Sequence, residues 1–148
     1  MDIVKATPEH VSEVGRLFDL YRQFYECEPD LELATNFIAE RIANDEADIF
    51  VAMDGEQAVG FTQLYPSFCS VEAIKIYILY DLYVDAAGRN QGVGARLMNR
   101  ATDWARENGA ARLDLLTENN NHAGQHLYEK LGYVRTNENF YAYSLAVD

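Results

Sequence analysis

The amino-acid sequence predicts a single α+β domain, residues 1–148, built on a mixed, largely antiparallel sheet. The length of 148 residues fits one domain with a substantial core. Some segments alternate apolar and polar residues with a period of two, as β-strands do, and others repeat apolar residues at helical spacing. A hairpin comes early and strand–helix–strand units follow, an order typical of α+β proteins.

The first predicted elements are a short strand and two helices. Ile3 and Val4 lie in the strand, and Thr7 and Pro8 supply an N-cap and a first-turn proline for the first helix. An acidic stretch separates this helix from the second. The apolar residues at helical spacing are Val11, Val14, Leu17, Phe18 and Tyr21 in the first helix, and Phe37, Ile38 and Ile42 in the second.

A β-hairpin and a long strand come next. Residues 49–53 and 58–65 are predicted strands on either side of an Asp54-Gly55 turn signal. In the long strand, residues 74–84, every even position is apolar, whereas Lys75 and Asp81 lie at odd positions. This alternation predicts one buried face that carries the even positions.

The last third of the chain predicts two helices and two strands. Residues 112–117 are a predicted strand, residues 121–131 a helix that Gly132 closes, and residues 140–145 a final strand. An earlier helix follows the long strand and ends at Gly109. Its apolar repeat consists of Val93, Leu97, Ala101, Trp104 and Ala105.

The charge balance argues against nucleic acid as a partner. The formal net charge is −12, with only 12 Lys and Arg residues to contact phosphates. A cationic ligand suits this field better, although acidity serves solubility equally well. Cys27 and Cys69 lack metal-site or redox-motif spacing, so we expect free thiols in a reducing compartment.

The sequence also gives expectations about location and metals. The first ten residues lack a signal pattern and no apolar run could span a bilayer, so a cytoplasmic protein with no membrane partner is expected. His10, His122 and His126 lack companions at metal-ligand spacing. We therefore expect no metal.

An anion-binding loop is predicted where the long strand passes into the next helix. The first turn of a helix has amide N–H groups without internal partners and a positive dipole end, and both attract phosphate. Gly92 and Gly94 would let a diphosphate approach the backbone, and Arg89 adds a cation. The residues fit neither a P-loop nor a dinucleotide-binding fingerprint. The alternative is a flexible turn whose glycines only connect the two elements.

Two motifs carry a family resemblance. Residues 89–94, Arg-Asn-Gln-Gly-Val-Gly, resemble the Arg/Gln-x-x-Gly-x-Gly/Ala pyrophosphate loop of the GNAT superfamily of N-acetyltransferases. Residues 121–133 are similar to that family's Asn-x-x-Ala-x-x-Leu-Tyr-x-Lys-x-Gly-Phe/Tyr motif, with Gly124 at the usual alanine. Residues 80–84 also resemble a stretch of the polyamine and thialysine acetyltransferases, with Tyr80 in place of their first acidic residue.

The resemblance implies a GNAT-type acyl-CoA N-acyltransferase fold with six or seven strands and about four helices. It implies acetyl-CoA as cosubstrate, direct acetyl transfer to a primary amine in a ternary complex, and a homodimer. The implied cofactor contacts are the strand residues Leu82, Tyr83 and Val84, the loop residues Arg89, Asn90, Gln91, Gly92, Val93, Gly94 and Ala95, and Asn121 and Tyr128.

Direct transfer requires an acid for the leaving thiolate and a base for the amine. Tyr128, two helical turns after Asn121, is the candidate acid, because a phenol can protonate a thiolate. A packed core tyrosine is the alternative. Asp81 is the first candidate for the base, directly or through water, and Glu72 is the second, with surface salt bridges as the alternative for both. A main-chain N–H near Leu82 is expected to polarise the thioester carbonyl.

The acceptor is expected to be a small-molecule or lysine-like amine that acidic residues bind. Glu26, Glu28 and Asp30 join two helices that cover the acceptor side in the resembling family, and Asp81 would complete the contacts. These charges complement a polyamine or lysine-like amine, and a solvated loop explains them as well. The rival functions are a non-catalytic acyl-CoA-binding or sensing module, and an interaction protein that uses its last aromatic strand, with Phe140, Tyr141 and Tyr143.

Overall fold

The computed structural model of the protein describes residues 1–136 and 138–147. The chain divides into two compact units, Met1–Leu116 and Thr117–Asp148. Among the described residues, the first unit holds five strands and three α-helices, and the second unit holds the fourth α-helix. That the two units together make one domain stays a prediction.

The first unit begins with strand β1 (Asp2–Lys5) and two helices, α1 (Val11–Phe24) and α2 (Leu31–Ala43). Thr7 and Pro8 begin a short 3-10 turn that leads into α1, whose own N-cap is His10, so the predicted cap lies one turn ahead of the α-helix. Asp30 is the N-cap of α2, and its carboxylate accepts a hydrogen bond from the Leu33 N–H. The buried apolar residues of the two helices are Val14, Leu17 and Phe18 in α1 and Ala34 and Ile38 in α2.

The sheet is mixed and mostly antiparallel, as predicted. Its further strands are β2 (Asp48–Asp54), β3 (Gln57–Cys69), β4 (Ile74–Val84) and β5 (Arg112–Asp114). They lie in the order β1-β2-β3-β4-β5, with antiparallel neighbours except for the parallel pair β4 and β5. The predicted hairpin is confirmed, and β3 extends beyond the predicted end of its strand.

Strand β4 contains a bulge at Tyr80. Gln63 of β3 lies opposite Asp81, whereas Leu64 lies opposite Leu79, so Tyr80 is an extra residue on β4. Tyr80 is 61% exposed, while Leu79 and Asp81 are buried. The prediction of a single buried face at the even positions is therefore wrong at the bulge, and it is wrong for a second reason as well: the adjacent residues Ile76 and Tyr77 are both buried, so both faces of the strand are covered before the bulge.

Helix α3 (Val93–Glu107) packs on the sheet and confirms the predicted helix after the long strand. It follows β4 after a short loop and ends before Gly109, which has a φ of 76°. Its apolar face supplies a layer of the core between helix and sheet. The buried residues of this face are Val93, Leu97, Met98, Ala101 and Ala105.

The second unit contains helix α4 (His122–Lys130), which confirms the fourth predicted helix. Asn121 is its N-cap, and Gly132, with a φ of 98°, follows its end. None of the residues of α4 is buried. The α+β class and the four helices are thus confirmed among the described residues.

The strand count differs from the prediction. The described residues form five strands instead of six or seven, because residues 140–145, predicted as the last strand, form none. An alternating pattern specifies a strand where a partner strand and a buried face accompany it. The apolar side chains of the final segment are exposed instead: Phe140, Tyr141, Tyr143 and Leu145.

Three further findings concern the described residues only. Cys27 and Cys69 are free thiols. No helix in residues 1–136 or 138–147 is both long and apolar enough to cross a membrane. No group of three or more His, Cys, Asp or Glu side chains in that part of the chain is placed to hold a metal ion.

Candidate active site

Asp81 follows the bulge of β4 and is almost completely buried, with 6% of its surface exposed. Gln63 on the neighbouring strand donates a hydrogen bond from Nε2 to Asp81 Oδ2 at 2.7 Å. The single O–H of Tyr21, on α1, lies between two acceptors, the Asp81 carboxyl and the backbone oxygen of Tyr80, which is 3.4 Å from the hydroxyl oxygen. Neutral groups from a helix and a strand therefore hold this carboxyl.

Burial raises the pKa of Asp81, because the charged form loses its contact with water. The hydrogen bonds from Gln63 and Tyr21 oppose this rise, because they favour the ionised form. Among the described residues, no cation contributes to lowering the pKa of this carboxyl. A carboxyl with a raised pKa is suited to accept a proton near neutral pH, as a general base must.

Tyrosine side chains surround Asp81. Burial, and then the charge of Asp81, raises the pKa of Tyr65 to about 12, and the same two causes raise the pKa of Tyr21. The rings of Tyr65 and Tyr80 meet edge to face with 5.5 Å between centroids, and those of Tyr21 and Tyr25 do so at 5.1 Å. Tyr21 and Tyr65 therefore stay protonated at neutral pH.

Glu72, the second candidate for the base, lies in the turn just before β4. It forms an ion pair with Arg112 of β5, and Cys69 donates a hydrogen bond from Sγ to Glu72 Oε2 at 3.5 Å. The hydrogen bonds from Arg112 and Cys69 lower the pKa of Glu72. It is an exposed carboxylate in an ion pair, far along the strand from Asp81.

The end of β4 has one free edge. Leu82, Tyr83 and Val84 pair with β3 on one side. On the other side, β5 pairs only with Ile76, Tyr77 and Ile78. Among the described residues, the last part of β4 therefore presents backbone groups that no neighbouring strand occupies, a position where an extended ligand could add as a strand.

A tight loop joins β4 to α3. Asp85 accepts a hydrogen bond from the Ala86 N–H at 2.6 Å and so caps a short 3-10 turn. Asn90 and Gly92 have positive φ angles of 62° and 71°. Gly92 is the N-cap of α3, and a Cβ added there would meet no atom within 4 Å, so a ligand can approach this backbone closely.

The first turn of α3 can hold an anion. The N–H groups of Val93, Gly94 and Ala95 lack helical partners, no side chain caps the helix, and no acidic residue lies in its first turn. Arg89 is exposed, and its Nε makes a long contact of 3.4 Å with the Val84 backbone oxygen. Amides, dipole and guanidinium together fit a diphosphate.

Gln91 lies in the same loop, and its side chain forms a hydrogen bond within the protein. Its Nε2 donates a hydrogen bond to the backbone oxygen of Ala87 at 3.1 Å. This bond ties the loop to the preceding 3-10 turn. Gln91 therefore shapes the loop through its side chain.

A charged group on α1 fixes the start of this loop. Arg16 pairs with Glu13 at 3.1 Å and with Asp85 at 3.4 Å, and it donates to the Ala58 backbone oxygen at 2.8 Å. Glu13 in turn accepts the Ala58 N–H at 2.8 Å. The two side chains connect α1, the start of β3 and the residue that caps the loop.

The predicted acceptor-binding loop connects α1 to α2. Glu26 and Glu28 are exposed, and within the described residues neither forms an ion pair or side-chain hydrogen bond. Asp30 is different, since its carboxylate caps α2 and its N–H donates to the buried Asp19 at 2.9 Å. Two of the three predicted acids are thus available to a ligand, and the third has a structural role.

The second unit holds the other two predicted residues. Asn121 Oδ1 accepts the Gly124 N–H at 3.0 Å, and Asn121 Nδ2 donates to Thr117 Oγ1 at 3.2 Å. A Cβ added at Gly124 would lie 2.6 Å from Asn121 Nδ2, so the Asn121 side chain lies directly against this glycine. Tyr128 lies on α4, with its ring 6.1 Å from that of Tyr133.

The structure adds residues that the sequence interpretation missed. It brings Tyr21 and Gln63 next to Asp81, and it places Arg16 at the start of the loop between β4 and α3. Gln63 carries a signal in the sequence, a polar residue inside an apolar strand. Tyr21 carries none, because it matches the apolar repeat of its helix.

The sequence matches known acetyltransferases. The model of the acetyltransferase (GNAT) family covers residues 14–133. The chain is 42% identical over 133 residues to the uncharacterized N-acetyltransferase YhfO of Bacillus subtilis, covering 90% of this chain and 89% of YhfO. It is 23% identical to the thialysine N-epsilon-acetyltransferase of Caenorhabditis elegans and 29% identical to the D-amino-acid N-acetyltransferase HPA3 of Saccharomyces cerevisiae. These two matches cover 90% and 88% of this chain, and 82% and 84% of the relatives.

Solved structures agree with these matches. The crystal structure of a probable acetyltransferase is 36% identical with a TM-score of 0.89, covering 100% of this chain and 99% of its own. The fold is also that of the aminoglycoside N-acetyltransferase AAC(6′)-Iy in complex with CoA, at 18% identity, a TM-score of 0.82, and coverage of 98% and 95%. The chain belongs to the GNAT family of acetyltransferases and is an acetyl-CoA-dependent N-acetyltransferase.

Proposed function

We propose that this enzyme acetylates a cationic primary amine, with Asp81 as the general base and Tyr128 as the general acid. The observation that carries the proposal is the buried Asp81 carboxyl beside the helix that leads into the Glu26 and Glu28 loop. A buried acid with a raised pKa suits proton acceptance, and exposed acids without cationic partners suit the recognition of a cation.

The acceptor is proposed to enter between the acidic loop and the aromatic residues of α1. Tyr25 lies at the end of α1 and contacts the ring of Tyr21, which reaches Asp81. A path of aromatic side chains therefore runs from the loop to the buried carboxyl. The relatives above act, by name, on thialysine and on D-amino acids. It is the charge of this loop in this chain that favours a cationic acceptor.

The proposed chemistry begins with the acceptor in its ammonium form. Asp81 takes a proton from that nitrogen, directly or through one water, and the neutral amine forms a C–N bond with the acetyl carbon while the C–S bond breaks. Tyr128 then gives its phenolic proton to the sulfur, and the phenolate takes the second proton that the acylated nitrogen must lose, which leaves a neutral amide and a neutral Tyr128. A backbone N–H of the free edge near Leu82 would stabilise the negative charge on the acetyl oxygen.

Acetyl-CoA supplies the acetyl thioester, and different residues are proposed to bind its different parts. Arg89 and the amides of residues 90–95 would bind the diphosphate, with Gly92 allowing the close approach described above. The free edge at residues 82–84 would pair with the pantetheine amides. Asn121, whose side chain caps α4, would contribute from the second unit.

Three finer assignments belong to the same proposal. We infer a polyamine or thialysine type of acceptor, which the thialysine-acetylating relative supports at 23% identity. We also infer a cytoplasmic homodimer, by likeness to the family. Light scattering of the purified protein tests the homodimer, which should give twice the mass of one chain, 16.8 kDa.

A thiol-release screen with acetyl-CoA tests the proposed function. Paired acceptors of equal size separate charge from shape: 1,5-diaminopentane against 1-aminopentane, and lysine against norleucine. We expect kcat/KM to be at least roughly tenfold higher for the more cationic member of each pair, since a second charge-assisted contact contributes about 1.5–3 kcal/mol. Equal values would contradict the cationic acceptor. Coenzyme A binding without thiol release from any amine would favour the acyl-CoA-binding module instead.

A further inference from the structure

Gln63 is a buried polar side chain that packing alone does not explain. It lies opposite Asp81 in the β3–β4 pair and is 0% exposed, as are most residues of this part of β3. Its Nε2 donates to Asp81 Oδ2 at 2.7 Å, but its Oε1 has no hydrogen-bond partner among the described residues. A buried oxygen without a partner is unfavourable, and methionine would fill a similar volume without that cost.

The unpaired oxygen gains a partner when Asp81 is protonated. An ionised carboxyl only accepts hydrogen bonds, and Gln63 Nε2 satisfies it. A protonated carboxyl carries an O–H that requires an acceptor. A half-turn of the amide about its last torsion exchanges Nε2 and Oε1, so that Oε1 can accept from the Asp81 O–H.

We propose that Gln63 is a positioning residue that follows the proton on Asp81, as a donor to the carboxylate and as an acceptor from the carboxylic acid. This inference rests on the proposed function, in which Asp81 is the base. The N–H bond of the acceptor ammonium breaks and the O–H bond of Asp81 forms, so one proton moves between these two groups and both become neutral. Gln63 only turns.

The other groups around Asp81 define what a change at Gln63 should do. Tyr21 faces the carboxyl from α1, and Tyr65 lies near it on β3. Two further charged groups lie near this cluster, Arg41 and Glu46, and they change the pKa of Tyr65. Loss of the Gln63 amide leaves these groups unchanged and removes one hydrogen bond from each form of Asp81, and the bond lost from the charged carboxylate is the stronger of the two. The pH at which Asp81 ionises should therefore rise.

The decisive variant is Gln63→Met, studied by the pH dependence of kcat/KM with the best acceptor of the screen. We expect the acidic midpoint to rise by roughly one pH unit, the difference between a hydrogen bond to a charged group and one between neutral groups, with an unchanged KM for acetyl-CoA. Thr62→Val is the matched control. Thr62 is equally buried on the same strand, but its hydroxyl donates to the backbone oxygen of Asp81 at 2.8 Å and not to the carboxyl. It should destabilise the fold and leave the midpoint unchanged.

A second measurement does not depend on turnover. The carboxyl ¹³C resonance of Asp81, assigned by its absence in Asp81→Asn, should titrate at higher pH in Gln63→Met than in the wild type. Gln63→Glu keeps the size of the side chain and places a second carboxyl there, and it should raise this titration further. An Asp81 titration that is unchanged in both Gln63 variants overturns the proposal.

The two measurements separate the two hypotheses. If Asp81→Asn keeps the acidic limb of the rate profile, Asp81 is not the base, and both the proposed function and the inference on Gln63 fail. If Asp81→Asn removes that limb while Gln63→Met keeps the wild-type midpoint and resonance, the inference on Gln63 fails alone. A rise of both in Gln63→Met, with no rise in Thr62→Val, supports it.

Discussion

Asp81 and Glu72 are carboxylic acids near opposite ends of strand β4, and their surroundings shift their pKa values in opposite directions. Burial raises the pKa of Asp81, and the hydrogen bonds to it come from the neutral side chains of Gln63 and Tyr21. Hydrogen bonds from Arg112 and Cys69 lower the pKa of the exposed Glu72. The comparison teaches that the charge of a carboxyl predicts little about its chemistry, whereas its solvation and its partners predict a great deal.

The largest expected effect separates the two residues by activity. Asp81→Asn should lower kcat by roughly 10²–10⁴ at neutral pH, because it removes the proposed base without changing the size of the side chain. Glu72→Gln is the matched control and should keep near-wild-type turnover, because Glu72 is held in a surface ion pair. Steady-state thiol release measures both. Equal losses in the two variants would contradict the assignment of Asp81 as the general base.

A second comparison sets the proposed base against the proposed acid. Tyr128→Phe should also lower kcat by roughly 10²–10⁴, because the leaving thiolate loses its proton donor. Its affinity for acetyl-CoA, measured by calorimetry, should barely change. Whereas Asp81→Asn removes the acidic limb of the rate profile, Tyr128→Phe should remove the basic limb. Full turnover in Tyr128→Phe would exclude this tyrosine from the mechanism.

Stability should respond to pH through Asp81 in a defined direction. The folded-state pKa of Asp81 is raised, so its contribution is fully present below the unfolded pKa, near 3.8, and is lost as pH rises through the folded value. Each unit of difference corresponds to about 1.4 kcal/mol. Asp81→Asn lacks this loss. Relative to wild type, its free energy of unfolding from urea titrations should therefore increase between pH 4 and neutral pH, and a constant difference would contradict the raised pKa.

A smaller effect is expected at the acidic loop, where the carboxylates are exposed like Glu72 but lack a cation. The double change Glu26→Gln with Glu28→Gln should raise KM for a cationic acceptor roughly threefold to tenfold at low salt, and less at high salt. Asp54→Asn with Glu56→Gln is the control, since it removes the same charge from the exposed β2–β3 turn. Equal changes in KM would assign the effect to net charge alone.

The smallest expected effect has the opposite sign to that of Asp81. The pKa of Glu72 is lowered, so its contribution is present above the unfolded value, near 4.5, and is lost as pH falls through the folded value. Thermal melts of Glu72→Gln should lie slightly below those of wild type at neutral pH and converge with them in acid. Because the ion pair is exposed, the shift should be small and should shrink with added salt. Divergence in acid would contradict the assignment.

The candidate site could be predicted from the sequence where its parts are contiguous. The glycines and the arginine of residues 89–95 predict a loop between a strand and a helix, and the structure has one there. This loop could be predicted because its anion-binding groups are consecutive in the sequence. The capping role of Asn121 depends on its neighbours Thr117 and Gly124. Interactions of this kind involve residues that are close in the sequence, so short stretches of sequence specify them.

Other parts could not be predicted, because they depend on contacts between distant elements. The bulge at Tyr80 interrupts a regular apolar alternation that gives no sign of it. Tyr21 matches the apolar repeat of α1, and only packing directs its hydroxyl to Asp81. Likewise, the alternation at residues 140–145 predicts a strand, yet without a partner these residues form none.

The sequence by itself determined the family, the α+β class and the position of the loop between β4 and α3 that we propose binds the diphosphate, because motifs and periodic patterns are local properties of the chain. Only the tertiary structure decided which carboxyl is buried and which side chains hold it. The physical reason is that a pKa depends on desolvation and on neighbours brought together from α1, β3 and β4, and no single stretch of sequence contains that arrangement.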